Sequence, residues 1–248
     1  MLGELVSKRR DVPHFTTLAG QDVRTSNDWH LRWLRPGREK RLVALSAFQQ
    51  RVFRQTTGLE AGHRIPWGID IDDTPGFIAG DRPIDVLGVG SLVPVKHWEK
   101  WLRVLAAVAD ARPQLRAVLI GEGSEHGRLR QLAAQLGLTA RVHFAGALPR
   151  QEVLATMGRA KILLHTASFE SFGFVYPEAA AQGCALVSTP VGVAPEMGAD
   201  CAESESALAS LLLRRLTAGR PPFPTRPFVA KDTAARYMAL WKAGWPST

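Results

Sequence analysis

Long apolar runs are missing from this 248-residue chain. No stretch approaches the roughly 18–20 consecutive apolar residues of a membrane-crossing helix, so a transmembrane protein is not expected. The first ten residues, Met1 to Arg10, lack the apolar centre of a secretory signal. Cysteine is scarce: Cys184 and Cys201 are the two in the chain, and neither stands at metal-ligand spacing. They read as reduced thiols of a cytosolic protein. The seven histidines show no metal spacing either, and His97 and His143 read as structural or solvated. No Gly-x-Gly-x-x-Gly turn follows a strand, which argues against a dinucleotide-dependent dehydrogenase. Internal repeats and low-complexity tracts are absent as well.

What is present describes a soluble globular chain. Apolar residues make up 46% of it, enough for one large domain or for one domain and part of another. The net charge is +8, part of it in Arg32, Arg35, Arg38, Lys40 and Arg41, interleaved with Trp29, Leu31, Trp33 and Leu34. A basic stretch with aromatic anchors suits an anionic membrane surface. The plainer reading is a solvated basic face beside a tryptophan pair. Pro36-Gly37 favours it by cutting the helix too short for a strong anchor. Nucleic-acid binding has no motif behind it and is not expected.

From Ile84 onward, strand and helix patterns alternate. Ile84 to Val89 is an apolar run ending at Gly90, and Trp98, Trp101, Leu102 and Leu105 then recur at helical spacing. Arg116 to Ile120 is the next strand, stopped by Gly121-Glu-Gly123, which a plain turn explains. Leu129, Leu132, Ala133 and Leu136 form a second helical stripe closed by Gly137. Strands follow at Arg141 to Phe144, Ile162 to Leu164 and Ala185 to Ser188, with helices at Gln151 to Met157, Glu178 to Gln182 and Ser206 to Leu216. This order predicts an α/β fold: a parallel sheet with helices on both faces. Arg220 to Pro227 is too proline-rich for regular structure and reads as a connector. Lys231 to Ala243 then forms a closing helix with Ala234, Tyr237, Met238 and Trp241 on one face. The first 80 residues offer two strand-helix steps, at Phe15 to Leu18 and Leu42 to Leu45, about half of a doubly wound sheet.

The most informative segment runs from Ser168 to Gly183. It places Glu170 and Glu178 eight positions apart, across the joint between a buried strand and a small-residue helix. Such joints are where α/β sheets bind ligands. Ionised carboxylates are acceptor-only groups suited to sugar and ribose hydroxyls. Taken alone, the pair reads rather as solvated loop and helix-start charges. Three further motifs change that balance: the strand ending in Gly90 and followed by Ser91 to Lys96, then Leu119 to Gly123, then Val142 to Gly146. In this order, with the Glu-x₇-Glu run, they resemble the C-terminal domain of family 4 retaining glycosyltransferases, which have the GT-B fold of two Rossmann-like domains. Gly20 to Asp22, Leu45-Ser46 and Ile65 to Asp70 resemble the end of that family's N-terminal domain and its linker. The resemblance spans about Thr16 to Trp241.

The resemblance implies a sequence of regions: a partial acceptor-side domain and linker over 1–80, a nucleotide-sugar-binding domain over 81–228 and the closing helix over 229–248. It implies that Glu178 accepts from the donor ribose, that Glu170 meets the transferred sugar and that Lys96 pairs with the diphosphate. Glu170 and Lys96 are thus the catalytic candidates. The backbone of Gly173, Phe174 and Val175 would face sugar hydroxyls or phosphate, and Leu148 would lie near the nucleobase. Ser91 stands where the family usually has an arginine for the diphosphate, so either Lys96 does more or another arginine reaches in. No metal or other cofactor is implied; the donor is a nucleoside-diphosphate sugar. The acceptor (glycan, lipid-linked glycan or small metabolite) stays open, as does a peripheral contact with the inner face of a membrane. The first strands of the N-terminal domain are not matched, a segment on the order of 100 residues. A separate chain supplying that half, or a non-catalytic donor-binding remnant, are the readings this leaves beside an active enzyme.

Overall fold

A computed structural model describes residues 14–20, 23, 37, 39–70, 81–218 and 228–244. The basic stretch around Trp29 to Arg38, apart from Gly37, and the connector at Arg220 to Pro227 lie outside them. The chain divides into two compact units. One comprises Met1–Asp70, Glu170–Phe172 and Phe228–Thr248; the other comprises Ile71–Phe169 and Gly173–Pro227.

The first unit carries a three-stranded parallel sheet, β1 (Thr16–Thr17), β2 (Leu42–Ala44) and β3 (His63–Arg64), in that order. β2 is wholly buried, as its apolar run requires. It runs into helix α1 (Ala47–Thr57) through Ser46, whose extended backbone and side-chain oxygen cap the helix by accepting from the Gln49 amide at 3.0 Å. The Gln49 side chain turns back and accepts from the Leu45 amide at 2.8 Å, which closes the cap reciprocally. β3 has no apolar run and is invisible to periodicity; backbone pairing to Val43 and Ala44 makes it a strand.

The closing helix, α7 (Ala230–Gly244), corrects one expectation. Tyr237 turns inward, its hydroxyl 2.7 Å from that of Thr17, and the Thr233 hydroxyl donates to the Pro66 carbonyl at 2.9 Å. Met238 and Trp241 are exposed, at 54% and 57%. At about 100° per residue, Thr233, Tyr237 and Leu240 form one stripe and Met238 faces away from it. The polar anchors, rather than the bulk of the apolar side chains, choose which stripe is covered.

The second unit is the larger. Its elements run β4 (Ile84–Val89), α2 (Trp98–Ala109), β5 (Ala117–Ile120), α3 (His126–Gln135), β6 (Val142–Gly146), α4 (Arg150–Gly158), β7 (Ala160–His165), α5 (Val175–Ala181), β8 (Ala185–Ser188), β9 (Asp200–Cys201) and α6 (Glu205–Ala218). The sheet order is β6-β5-β4-β7-β8-β9, parallel throughout. The chain moves one way from β4 to β6, returns to the other side of β4 for β7, and continues outward to β9. With right-handed crossovers, that reversal puts α2 and α3 on one face and α4 and α5 on the other. Val86, Leu119, Ile162, Leu164 and Val187 pack with Trp98, Trp101 and Leu105 of α2, Leu129 of α3 and Leu208 and Leu212 of α6. Leu87, Leu163 and Leu186, of opposite parity, are buried too. Burial of both faces is why these strands read as continuous apolar runs. The two-residue strand β9, which joins the edge through Val187 and Ser188, is too short for the sequence to announce.

Candidate functional site

β4 and β7 are the neighbours at which the strand order reverses, and the carboxyl ends of strands at such a switch point are where these sheets hold ligands. The loop after β4 carries Ser91 and Lys96. It passes through a 3-10 turn, Pro94–Lys96, and enters α2 through His97, whose φ is 50°. Among the described residues His97 is the one non-glycine with positive φ, a conformation that costs energy unless its surroundings hold it. The buried Thr166, directly after β7, shares its hydroxyl between the carbonyls of Lys96, at 3.2 Å, and His97, at 3.0 Å. The Ser168 amide donates to the Val95 carbonyl at 2.9 Å. Thr189, just after β8, donates its hydroxyl to the Ala167 carbonyl at 2.6 Å. Three successive loops are thus sewn into one rim.

The other flank of the β4 loop is held by backbone. The Gly90 amide donates to the Ile120 carbonyl, the Leu92 amide to that of Glu122 and the Gly121 amide to that of Gly146, at 2.8–3.0 Å. A Cβ on Gly121 would stand 1.9 Å from the Gly90 carbonyl oxygen. The Gly121-Glu-Gly123 run is therefore more than a turn: it lets two loops meet backbone to backbone. Trp98 Nε1–H donates to the Ser91 carbonyl at 2.9 Å, so the large buried tryptophan fixes the loop from beneath.

On this rim Ser91 is exposed and Lys96 half-buried. Gly173, with φ 87°, turns the chain into α5; Phe174 beside it is 42% exposed, and Val175 opens the helix. Glu178 lies in the first turn of α5, half-buried, with Arg150 Nε at 3.2 Å from its Oε1. Burial pushes the Glu178 carboxyl up from its ordinary range, and the charge and hydrogen bond of Arg150 oppose that rise. Leu148 is half-buried in the turn between β6 and α4, two residues before Arg150. Glu170, Ser171 and Phe172 group with the first unit, where the Ser171 carbonyl accepts from the Ser46 hydroxyl at 2.7 Å.

Ser91, Lys96, Leu148, Gly173, Phe174, Val175 and Glu178 thus all leave carboxyl ends of the second unit's strands. Glu170 belongs to the unit built around the smaller sheet. Three contributors escape sequence reading: Arg150, Thr166 and Thr189. Threonines at strand ends and an arginine opening a helix carry no spacing signal, and the contacts that give them roles join residues 22 to 70 positions apart. Among the described residues no group of three or more His, Cys, Asp or Glu could hold a metal ion, and no helix is long and apolar enough to cross a membrane.

Fold and strand order together define an α/β protein with parallel sheets and a topological switch point between β4 and β7. The sequence profile of the glycosyl transferases group 1 family matches residues 75–202, just over half of the chain. The chain belongs to that family. It is 33% identical over 96 residues to the gpi3 subunit of the Schizosaccharomyces pombe phosphatidylinositol N-acetylglucosaminyltransferase, a stretch covering 39% of this chain and 21% of that protein. In fold it is similar to the Anabaena protein HepE, solved with UDP and glucose (TM-score 0.66, 21% identity, 82% of this chain and 63% of that one). It is also similar to the pneumococcal O-GlcNAc transferase GtfA, solved with UDP and GlcNAc (TM-score 0.64, 14% identity, 83% and 45%). These likenesses establish a GT-B-type architecture. The chain matches about a quarter of the length of the first curated relatives.

Proposed function

We propose that this chain supplies the donor half of a glycosyltransferase, which moves a sugar from a nucleoside diphosphate to an acceptor hydroxyl with retained anomeric configuration. One observation supports the reading: the Thr166 hydroxyl and the Ser168 amide hold the backbone of the Val95–His97 turn beside the end of β7, the strand next to β4 where the sheet order reverses. Lys96 meets the diphosphate as a compact cation and neutralises the charge that grows as the leaving group departs. Ser91 adds a hydroxyl hydrogen bond to the same phosphates. Glu178 accepts from the ribose hydroxyls, Glu170 orients the transferred sugar, and the amides of Gly173, Phe174 and Val175 face phosphate or sugar oxygens. Leu148 borders the nucleobase. Structural neighbours solved with UDP support a uridine donor, and the relatives named as subunits of a transferase support a partner chain.

Titration calorimetry of the chain with UDP, GDP and ADP tests the reading. One nucleotide, with UDP the expected one, should bind and the others should not. Binding of none would sink the donor-site assignment. Retention is checked separately by the anomeric proton coupling of the glycosylated product.

A further inference from the structure

Arg150 opens α4 immediately after the Leu148-Pro149 turn, and its side chain crosses to α5. Its Nε lies 3.2 Å from Glu178 Oε1, an ion pair in which the carboxylate side chain is only 17% exposed and the guanidinium 50%. A carboxylate offers about four lone-pair sites on its two oxygens. Among the described residues Arg150 is the one side-chain partner of Glu178, and it engages Oε1 alone.

Resting on the donor-site reading, we propose that Arg150 is a positioning residue: it holds Glu178 in one rotamer through Oε1 and leaves Oε2 to accept the ribose hydroxyls. Discrimination of a ribose from a deoxyribose nucleotide then depends on a residue that touches no part of the ligand. The physical case has two parts. A glutamate side chain has three rotatable bonds, and a fixed carboxylate forms its ligand hydrogen bonds without first losing that freedom. Burial also disfavours the ionised form of Glu178, and the charge and hydrogen bond of the adjacent guanidinium oppose that rise, which favours the acceptor form. A helix-borne pair of this kind is often only a weak surface contact; here the carboxylate end is largely covered, which makes its orientation matter.

The experiment is calorimetry of wild type, Arg150→Met, Arg150→Lys, Glu178→Gln and the Arg150→Met/Glu178→Gln double variant. The probes are UDP and 2′-deoxy-UDP, or the matching guanosine or adenosine pair if the panel above selects that base. Wild type should favour the ribonucleotide by about tenfold, the scale of one charge-assisted hydrogen bond. Arg150→Met should lose most of that preference by weakening UDP alone, Arg150→Lys should regain part of it, and Arg150→Met should have no further effect in the Glu178→Gln background. A preserved ratio, with both nucleotides weakened equally, overturns the proposal and makes Arg150 a phosphate contact. Unchanged affinities in Arg150→Met overturn it and leave a plain surface ion pair. Wild type that binds no nucleotide at all overturns the donor-site reading, and this proposal with it. Thermal midpoints of the variants, expected within a few degrees of wild type because Arg150 is half exposed, separate each outcome from misfolding.

Discussion

The two edges of the six-stranded sheet use similar residues for opposite ends. At the amino edge, the charges are turned into structure. Arg82, largely buried, donates to the carbonyls of Ala160 and Gln182 and so ties the start of β7 to the end of α5. Asp85 takes the Lys161 ammonium at 2.7 Å and the Arg116 amide at 3.0 Å. Arg112 donates to the Thr217 hydroxyl at 2.8 Å. Cys184 is buried there, its thiol pushed up to about 12 by burial, and it donates to the Met157 carbonyl. A cavity of about 440 Å³ opens among these groups, yet Arg82, Arg112 and Lys161 on its wall are engaged by the protein itself. At the carboxyl edge, the loops are held by neutral groups, backbone amides, Thr166, Ser168 and Thr189, and the Arg150–Glu178 pair joins two helices beside them. Charged side chains there, Lys96 and Glu178, stand half-buried at the rim. What distinguishes the two edges is whether the scaffold is assembled from charges or from neutral groups, with charges at a rim.

The comparison breaks most easily at Arg82. Arg82→Met removes charge-assisted hydrogen bonds to the carbonyls of Met157, Ala160 and Gln182 and leaves buried carbonyls unmatched, so unfolding should become easier by about 3 kcal/mol or more. Thermal or urea denaturation measures this, and nucleotide affinity should not move. If affinity fell in step with stability, the two edges would be one cooperative device rather than two. A smaller effect is expected from Thr166→Val, about 1 kcal/mol of stability for one hydroxyl, but here nucleotide affinity should fall severalfold because the Lys96-His97 turn loses its clamp. Thr166→Ser should restore both. A stable Thr166→Val variant with wild-type affinity would show that the loop holds Lys96 without the hydroxyl. The smallest effect belongs to Lys161→Ala. Its pair with Asp85, a half-exposed ammonium against a largely covered carboxylate, is worth about 1 kcal/mol in denaturation, with unchanged affinity. A loss of nucleotide binding in that variant would move function to the amino edge.

Much of the larger unit is legible in the sequence because both faces of its sheet are buried. Strands of that kind appear as apolar runs, and the helix stripe at Trp98, Trp101, Leu102 and Leu105 falls entirely in the core. The smaller unit is less legible. Strand β3 is a His-Arg pair, and side-chain size misplaces part of the covered face of α7, because the hydrogen bonds of Thr233 and Tyr237 decide it. On the rim, Lys96 and Glu178 stand out in the sequence by motif and spacing, whereas Thr166, Thr189 and Arg150 enter only through contacts between segments distant in sequence.

By itself, then, the sequence determined the α/β class, the alternation of elements from Ile84 onward and the stretch that bears Glu170 and Glu178. Periodicity and local composition are properties of neighbours along the chain, and these features need nothing more. The tertiary structure decided the strand order that reverses between β4 and β7, the left-handed turn at His97, the pairing of Arg150 with Glu178 and the grouping of Glu170 with the first unit. Each depends on atoms brought together across tens of residues, where the cost of chain closure is met by packing that no local pattern encodes.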